Sequence, residues 1–325
     1  MQLSIVTTLY RSAPHLRAFY ERARAAAETS GFSWEIVMVN DGSPDESAAI
    51  ASSLVEEDPR VVLVDLSRNF GHHKAMMTGL AHARGELVFL IDSDLEEDPA
   101  WLERFHQTLL DTQADVVYGV QEAARKGNAF ERLSGDAYYA VVNWLSSAPI
   151  PRNLVTTRLM TRRYVQALVQ HQERELMIAG LWVITGFKQV ALPVKKLSLT
   201  PTTYTLGRKL TLLVDAVTAF SNKPLIMIFY LGLAITALSL VAAVVLVTRV
   251  LFFQALLPGW ASLIVSVWLL GGITIFCLGL IGIYLSKIYI ETKQRPYTIV
   301  RAVHRHHAEP GVPTPGGGTR SRPHE

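Results

Sequence analysis

The sequence predicts an α/β protein in which an open, doubly wound sheet carries helices on both faces and two membrane-spanning helices follow. Short apolar runs alternate with longer helical patterns through about residue 118. These runs are apolar on both faces, which is typical of parallel strands buried between helices. Two long uncharged stretches occupy the C-terminal third. Alternation of strands and helices indicates one mostly parallel sheet.

The elements follow one another in a regular order. Strands are predicted at residues 3–9, 34–39, 61–66, 87–91 and 115–118, and helices at residues 14–30, 46–57, 73–84 and 101–110. Two later stretches, residues 128–147 and 208–220, repeat apolar side chains at helical spacing. They are interpreted either as amphipathic helices packed on the core or as interfacial helices resting on lipid.

The uncharged stretches, residues 225–248 and 252–286, predict two membrane spans. Each exceeds the roughly 20 residues that a helix needs to cross a bilayer core. Pro258 and Gly259 interrupt the second stretch, so the second span is predicted at about residues 260–284. A pair of buried helices in a soluble core is the weaker alternative, because uncharged runs of this length are rare in soluble domains.

The flanking charges predict how the spans are oriented. Basic residues precede the first span and follow the second: Arg208, Lys209, Lys223, Lys287, Lys293, Arg295 and Arg301. Arg249 is the one charge in the connector. Because positive flanks stay in the cytoplasm, both termini are expected there and the connector outside. The N-terminus lacks the pattern of a secretory signal, which agrees with a cytoplasmic N-terminal domain.

Composition and charge narrow the class of protein. The 325 residues carry a net charge of +3, which gives no support for nucleic-acid binding across the whole molecule. Cys277 is the single cysteine, so no disulfide framework is available and a reducing compartment is compatible. A homo-oligomer is compatible with the sequence.

A pair of carboxylates follows the fourth predicted strand. Asp92 and Asp94 come directly after the apolar run LVFLI. Open α/β sheets bind ligands at the carboxyl ends of their strands. Two hard oxygen ligands there can hold Mg²⁺ or Mn²⁺ against a diphosphate. The alternative is a polar loop that caps the next helix.

A second polar cluster, Asn40-Asp41-Gly42-Ser43, follows the second predicted strand. Asp41 can accept hydrogen bonds from a ribose or a base, and Gly42 allows a tight turn. A structural interpretation also exists, in which Ser43 or Asp45 caps the next helix, and both interpretations can hold at once.

Four segments in combination resemble the inverting family 2 glycosyltransferases. They are VNDGS at residues 39–43, LSRNFGHHKAMMTGLAHARGE at 66–86, LIDSDLEEDP at 90–99 and SKIYIETKQRPY at 286–297. With the two spans, the chain is similar to the branch that includes dolichol-phosphate mannose synthase and bactoprenol glucosyltransferases. The resemblance covers about residues 1–300. It implies a GT-A fold, a divalent metal ion and a polyprenyl phosphate acceptor.

Carried over residue by residue, the resemblance implies a donor site and a metal site. The donor or nucleotide site comprises Leu9, Asn40, Asp41, Ser43, Asn69 and Asp92. Asp92 and Asp94 match the metal pair, and Glu96 stands where relatives often carry Gln. The segment with Arg68, Asn69, Gly71 and His72 is expected to support the donor site from below, with some contact to the diphosphate.

The acceptor side departs from the pattern of the family. Relatives typically carry Gly-Asp-Phe-Arg-Leu-Met, whereas here residues 156–160 read Thr-Thr-Arg-Leu-Met and lack the Asp. A phosphomonoester acceptor is already an anion, so the requirement shifts to basic groups that hold two anions together. The predicted acceptor-phosphate residues are Arg125, Lys126, Arg132 and Ser134, and the predicted catalytic residues are Asp94, Arg158 and Arg132.

The chain is therefore divided into four parts. Residues 1–127 form the nucleotide-sugar-binding core, 128–222 the acceptor-side region with interfacial helices, 223–290 the membrane hairpin, and 291–325 a cytoplasmic tail that is disordered at its end.

The resemblance implies an inverting transfer of a sugar from a nucleotide sugar to an undecaprenyl-type phosphate, at the cytoplasmic face of a bacterial inner membrane. Two alternatives stay open. One is glycosylation of a neutral lipid such as diacylglycerol, which needs a general base that Glu96 or Glu97 could supply. The other is a non-catalytic, sugar-sensing membrane scaffold.

Overall fold

The computed structural model describes residues 1–122, 153–174, 177–196, 221, 223–253 and 259–306. Several predictions lie outside these residues. They are the two amphipathic stretches at 128–147 and 208–220, the end of the tail, and the acceptor residues Arg125, Lys126, Arg132 and Ser134.

Strands and helices alternate through the N-terminal half as the sequence predicts. The strands are β1 (Leu3–Leu9), β2 (Trp34–Asn40), β3 (Val61–Leu66), β4 (Leu87–Leu90), β5 (Val116–Gln121), β6 (Leu154–Thr161), β7 (Gln189–Val194) and β8 (Val300–Arg305). The helices are α1 (Ala13–Thr29), α2 (Ser47–Glu57), α3 (His72–His82), α4 (Trp101–Thr112), α5 (Arg162–Leu168), α6 (Ile178–Ile184), α7 (Lys223–Phe253) and α8 (Trp260–Thr292).

All eight strands belong to one mixed sheet with the order β7-β5-β6-β4-β1-β2-β3-β8. Its centre is parallel: β1 lies between β2 and β4, and β3 extends the sheet beyond β2. On one side β6 runs antiparallel to both β4 and β5. On the other side β8 runs antiparallel to β3. The predicted α/β sheet with helices on both faces is confirmed.

Two apolar layers cover the faces of this sheet. Every residue of β1, β2 and β3 is buried. Alternate side chains of β1 point into different layers, with Ile5 packed in the layer of α1 and α4 and Val6 in the layer of α3, α5 and α6. Strands buried on both faces need near-continuous apolar sequence, which is why these runs are recognisable in the sequence. The sheet thus holds the strand ends, and the loops after them, in fixed positions.

The two uncharged stretches form the long helices α7 and α8, of 31 and 33 residues. Both are long and apolar enough to cross a membrane. Their large apolar side chains face outward, as shown by Trp268 at 79% exposure and Phe276 at 67%. A helix that is apolar around its circumference and not covered by protein is suited to a lipid environment. The prediction of two apolar C-terminal helices is confirmed.

The segment after α8 returns to the sheet. Residues 300–305 are predicted to belong to the tail, whereas the structure pairs them with β3 as the edge strand β8. The backbone N–H of Ser67 donates to the carbonyl of Ile299 at 2.9 Å, just before the strand. Val300 and Val303 favour an extended backbone. In a segment of only six residues, however, the basic residues Arg301, His304 and Arg305 interrupt the apolar pattern by which a strand is recognised.

Candidate active site

The candidate site lies at the carboxyl ends of β1, β2 and β4. These strands are adjacent and parallel, so their ends meet at one edge of the sheet. Leu9 ends β1 opposite Asn40, which ends β2. Asp41 follows, and its backbone N–H donates to the carbonyl of Leu9 at 3.0 Å. The structure therefore brings the predicted donor residues of the two strands together.

Asp41 is buried, and both of its carboxylate oxygens accept backbone hydrogen bonds. The N–H of Phe70 donates to Oδ1 at 2.7 Å, and the N–H of Gly71 donates to Oδ2 at 3.0 Å. Burial raises the pKa of Asp41 although these two N–H groups act to lower it. Asp41 thus fixes the segment after β3, and each oxygen keeps a lone pair for a further donor such as a ribose hydroxyl.

Gly42 allows this segment to lie against the turn after β2. Its φ is +58°, and a Cβ atom there would stand 2.4 Å from the backbone of both Arg68 and Asn69. Only a glycine leaves room for that approach. Asn69 itself is exposed, and its backbone carbonyl accepts a hydrogen bond from Arg68 at 2.9 Å. The predicted supporting role of the 68–72 segment agrees with this packing.

Asn40 and Ser43 hold the turn by hydrogen bonds. The side-chain amide of Asn40 donates to Asp65 at 2.8 Å, and its oxygen accepts the backbone N–H of Ser43 at 3.1 Å. The Ser43 hydroxyl donates to Asp45 at 2.5 Å and accepts the backbone N–H of Arg11 at 2.7 Å. Every polar group of the two side chains is therefore used within the protein.

Asp45 joins the starts of two helices. It accepts the backbone N–H of Ala13 at 3.1 Å and of Ser47 at 3.2 Å, in the first turns of α1 and α2. Burial alone would raise the pKa of Asp45, but the hydroxyls of Ser43 and Ser47 and these N–H groups lower it to about 2. The N-cap residue of α2 is Glu46, so the prediction of Ser43 or Asp45 as N-cap is wrong, although Asp45 accepts the N–H of the first helical residue.

Asp92 is mostly buried and is oriented by His72. Nε2 of His72 lies 3.3 Å from a carboxylate oxygen of Asp92, and Nδ1 lies 2.9 Å from the Thr8 hydroxyl. Burial alone would raise the pKa of Asp92, yet the hydrogen bond and charge of His72 lower it overall. Burial would lower the pKa of His72, and the carboxylate of Asp92 raises it. The two groups therefore stabilise each other's charged forms.

Asp94 is exposed, and the backbone beside it turns sharply. Its Oδ1 accepts the backbone N–H of Glu96 at 2.9 Å. Leu95 between them has a φ of +62°, a left-handed conformation that non-glycine residues seldom adopt. Partial burial and the nearby charge of Asp92 raise the pKa of Asp94. The turn leaves one carboxylate buried and oriented and the other open to a ligand.

An additional ion-pair group lies beside the carboxylate pair. Nζ of Lys196 lies 3.0 Å from Glu96 and 3.5 Å from Glu97. Burial would lower the pKa of Lys196, but the charges of Glu97 and Glu96 raise it overall. Glu97 is fully buried, where it accepts the backbone N–H of Thr157 at 2.9 Å and a short hydrogen bond from the hydroxyl of the same residue. No local sequence pattern indicates Lys196 as a site residue, because it follows β7, about one hundred residues later in the chain.

Arg158 lies on β6 beneath the edge of the sheet, opposite Leu90 of β4. Its side chain is 1% exposed, and its guanidinium lies 3.0 Å from the centre of the Trp182 ring. Burial lowers the pKa of Arg158 to about 9. It lines a cavity of about 240 Å³ together with Tyr118 and Phe187. Within the described residues, no hydrogen bond or ion pair joins Arg158 to Asp92 or Asp94, so its predicted catalytic role stays a prediction.

Asp92 and Asp94 supply two carboxylates, which are the hard oxygen ligands that Mg²⁺ and Mn²⁺ prefer. In the part of the chain that the structure describes, no group of three or more His, Cys, Asp or Glu side chains is arranged to hold a metal ion. Mg²⁺ is commonly held by one or two carboxylates, with substrate phosphates and waters completing its octahedron. The residues present fit an ion that arrives with, or is completed by, a diphosphate.

The mixed sheet, the tight turn after β2 and the carboxylate pair after β4 agree with the glycosyltransferase fold that the sequence predicts. The chain belongs to glycosyl transferase family 2, whose family model matches residues 4–170.

Similar proteins extend this likeness over nearly the whole chain. A Mycobacterium tuberculosis protein named as a glycosyltransferase is 58% identical over 94% of this chain and 89% of its own length. The SfII prophage-derived bactoprenol glucosyl transferase of Shigella flexneri is 31% identical over 94% of this chain and 99% of its own. Among solved structures, mannosyl-3-phosphoglycerate synthase from Rubrobacter xylanophilus has a TM-score of 0.45 and 16% identity, covering 67% of this chain and 72% of that chain.

Proposed function

We propose that this chain moves a sugar from a nucleotide-sugar donor to a polyprenyl phosphate, with inversion, at the cytoplasmic face of a bacterial inner membrane. The observation that carries the proposal is the presence, in one chain, of the carboxylate pair Asp92 and Asp94 at the ligand-binding edge and of two helices of membrane-crossing length. Relatives named as bactoprenol glucosyl transferases support the class of acceptor.

The donor nucleoside is proposed to lie over the ends of β1 and β2. The free lone pairs of Asp41 would accept hydrogen bonds from the ribose or the base. Leu9 acts through its carbonyl, which accepts the N–H of Asp41, because its side chain is fully buried in the core. Asn40 and Ser43 act indirectly, because their polar groups are already bonded within the turn. Asn69, exposed in the neighbouring segment, is proposed to contact the diphosphate.

The donor diphosphate is proposed to reach the ends of β1 and β4. Asp92 and Asp94 would hold Mg²⁺ or Mn²⁺, which when bound neutralises the charge that develops on the leaving diphosphate. His72 keeps Asp92 ionised and fixes its direction. The left-handed turn at Leu95 presents Asp94 toward the ligand.

The acceptor phosphate supplies its own nucleophile. One of its anionic oxygens attacks the anomeric carbon as the bond from that carbon to the nucleoside diphosphate breaks, which inverts the configuration in one step. The phosphate is already deprotonated, so the protein has to position two anions rather than remove a proton. Arg125, Lys126, Arg132 and Ser134 are proposed to hold the phosphate, with Arg158 as a further cation.

A matched pair of variants tests the proposal. Membranes containing the full chain are incubated with a panel of labelled nucleotide sugars, with polyprenyl phosphate or diacylglycerol as acceptor, and the lipid extract is analysed by mass. We expect a labelled polyprenyl phosphate that requires Mg²⁺ or Mn²⁺. Asp94→Asn should lower the rate by about 100-fold or more, because it removes a charge on which transition-state stabilisation depends.

Asp98→Asn is the control, because Asp98 lies in the same acidic loop and accepts the backbone N–H of Ala100, just before α4. It should retain transfer. Label in diacylglycerol alone would support the neutral-lipid alternative. Transfer at the wild-type rate by the Asp94 variant would refute the assignment of the site.

A further inference from the structure

We propose that Arg301, on the strand that follows the membrane hairpin, is a positioning residue for the donor-binding turn at residues 40–43. The proposal rests on the proposed function, because it concerns how the donor nucleotide is held. Arg301 is part of neither the carboxylate pair, Asp92 and Asp94, nor the supporting segment at residues 68–72.

Antiparallel pairing with β3 holds β8 at the edge of the sheet. It pairs with β3 from Val62 opposite Arg305 to Leu66 opposite Val300. Just before the strand, the hydroxyl of Thr298 lies 2.8 Å from that of Thr78 on α3. The pairing shifts between Asp65 and Leu66, so that Arg301 is an extra residue between Val300 and Ala302. Paired residues on both sides of Arg301 nevertheless fix its position beside Asp65.

Arg301 is paired with Asp65, near the end of β3. Its Nε and Nη2 atoms lie 2.8 and 2.7 Å from the same oxygen, Oδ2 of Asp65. The Arg301 side chain is 59% exposed, whereas that of Asp65 is 11% exposed. Because both contacts use Oδ2, the other oxygen of Asp65 is left to face the interior.

That second oxygen continues the contact into the donor turn. Oδ1 of Asp65 accepts the side-chain N–H of Asn40 at 2.8 Å, which fixes the orientation of a buried amide. The amide oxygen of Asn40 is thereby directed at the backbone N–H of Ser43, 3.1 Å away. Three successive contacts thus connect Arg301 to the turn that contains Asp41 and Gly42.

Loss of the ion pair between Arg301 and Asp65 should affect the order of the donor turn more than the overall stability of the domain. A half-exposed ion pair contributes little to the stability of a domain. Loss of Arg301 should nevertheless leave the carboxylate of Asp65 free to rotate, so that Asn40 holds the Ser43 N–H less firmly. Arg301 therefore acts through Asp65 and Asn40 on the order of the turn, and through the turn on donor binding.

Hydrogen exchange measures the order of the turn directly, without any donor. In the detergent-solubilised full chain, Arg301→Gln should speed exchange in a peptide covering residues 40–46 by about 3- to 10-fold, the effect expected when a charge-assisted contact is lost. Arg301→Lys should restore part of the protection. Asp65→Asn should produce the same effect, and the double variant should be no worse than either single variant, because both changes break one chain of contacts.

Arg305→Gln is the matched control. Arg305 is on the same strand but lies opposite Val62, beyond the irregularity in the pairing, four residues and roughly 13 Å farther from the site. It should leave exchange at residues 40–46 unchanged. Equal exchange in the wild type and Arg301→Gln, or equal acceleration by Arg301→Gln and Arg305→Gln, would overturn the proposal.

Kinetics provide the functional measurement. With the nucleotide sugar that the wild type turns over, Arg301→Gln should raise the donor KM by about 3- to 10-fold and leave kcat within about twofold. A fall in kcat with unchanged KM would contradict a positioning role. If the wild type transferred no sugar at all, the proposed function would fail, whereas the exchange measurement would still decide whether Arg301 orders the turn.

Discussion

Nε2 of His72 lies 3.3 Å from the carboxylate of Asp92, and the other ring nitrogen lies 2.9 Å from the hydroxyl of Thr8. The first residue of α3 therefore connects the ends of β1 and β4. A side chain in this position sets the direction in which Asp92 presents its second oxygen. The neighbours of a metal-binding carboxylate are often as important to its function as the carboxylate itself.

His72→Phe should lower transfer by about 10- to 100-fold, because it keeps an aromatic ring but removes both hydrogen bonds. The Mg²⁺ concentration that gives half-maximal activity should rise. Rates measured over a series of Mg²⁺ concentrations provide the check. His72→Gln, which keeps polar groups at similar reach, should recover part of the loss, and an unchanged Mg²⁺ dependence in the Phe variant would contradict this role.

Gly42→Ala and Gly31→Ala separate steric conflict from backbone conformation. Both glycines have positive φ, but a Cβ at Gly31 would have nothing within 4 Å, whereas one at Gly42 would meet the backbone of Arg68 and Asn69 at 2.4 Å. Gly31→Ala should cost about 1–2 kcal/mol from conformation alone. Gly42→Ala should cost more and should also weaken donor binding. Denaturation and donor KM provide the measurements, and equal costs for both variants would disprove the close packing.

Asp45→Asn should destabilise the protein by about 1 kcal/mol at neutral pH, because it weakens the contacts to the first turns of α1 and α2. The pKa of Asp45 is depressed to about 2 in the folded protein. The ionised carboxylate therefore stabilises the fold above its unfolded pKa of about 3.9, and this contribution disappears as the pH falls toward 2. Denaturation from pH 7 to pH 2.5 should show the gap between wild type and variant narrowing, and a gap independent of pH would refute the assignment.

Glu97→Gln and Glu96→Gln test which of the two glutamates stabilises the loop between β4 and α4, which carries Asp92 and Asp94. Glu97 is fully buried and accepts hydrogen bonds from Thr156 and Thr157, so an amide there would turn an N–H toward other donors. The free energy of unfolding should fall by about 1–3 kcal/mol. Glu96→Gln should cost less than about 1 kcal/mol, since its ion pair with Lys196 is partly exposed. A larger cost for Glu96→Gln would reverse the assignment.

The sequence predicts the first five strands and the two polar clusters, because these are local patterns, but it does not predict β6, β7 or β8. Strands buried on both faces are continuous apolar runs, and the carboxyl ends of parallel strands must share an edge. Asp41, Asp92 and Asp94 were therefore identified without knowledge of their contacts. The contact between His72 and Asp92 could have been anticipated only in outline, since it depends on how α3 begins.

Long-range pairings could not be predicted from local patterns. Lys196, just after β7, forms ion pairs with Glu96 and Glu97. Arg301 forms an ion pair with Asp65 from β8, which follows the two long apolar helices in the sequence. The sequence predicts an anion-binding role for Arg158 from its charge and the resemblance, but it does not predict that this side chain is buried against Trp182. A charge in a sequence shows neither its depth in the fold nor its partner.

The two strands that flank the membrane hairpin in sequence, β7 and β8, lie at opposite edges of the sheet. Eight strands span about 34 Å at the usual spacing between strands. The chain therefore leaves the sheet at one margin before α7 and re-enters it at the opposite margin after α8. A truncation before α7 would accordingly remove β8 together with both long helices and leave β3 as an unpaired edge strand.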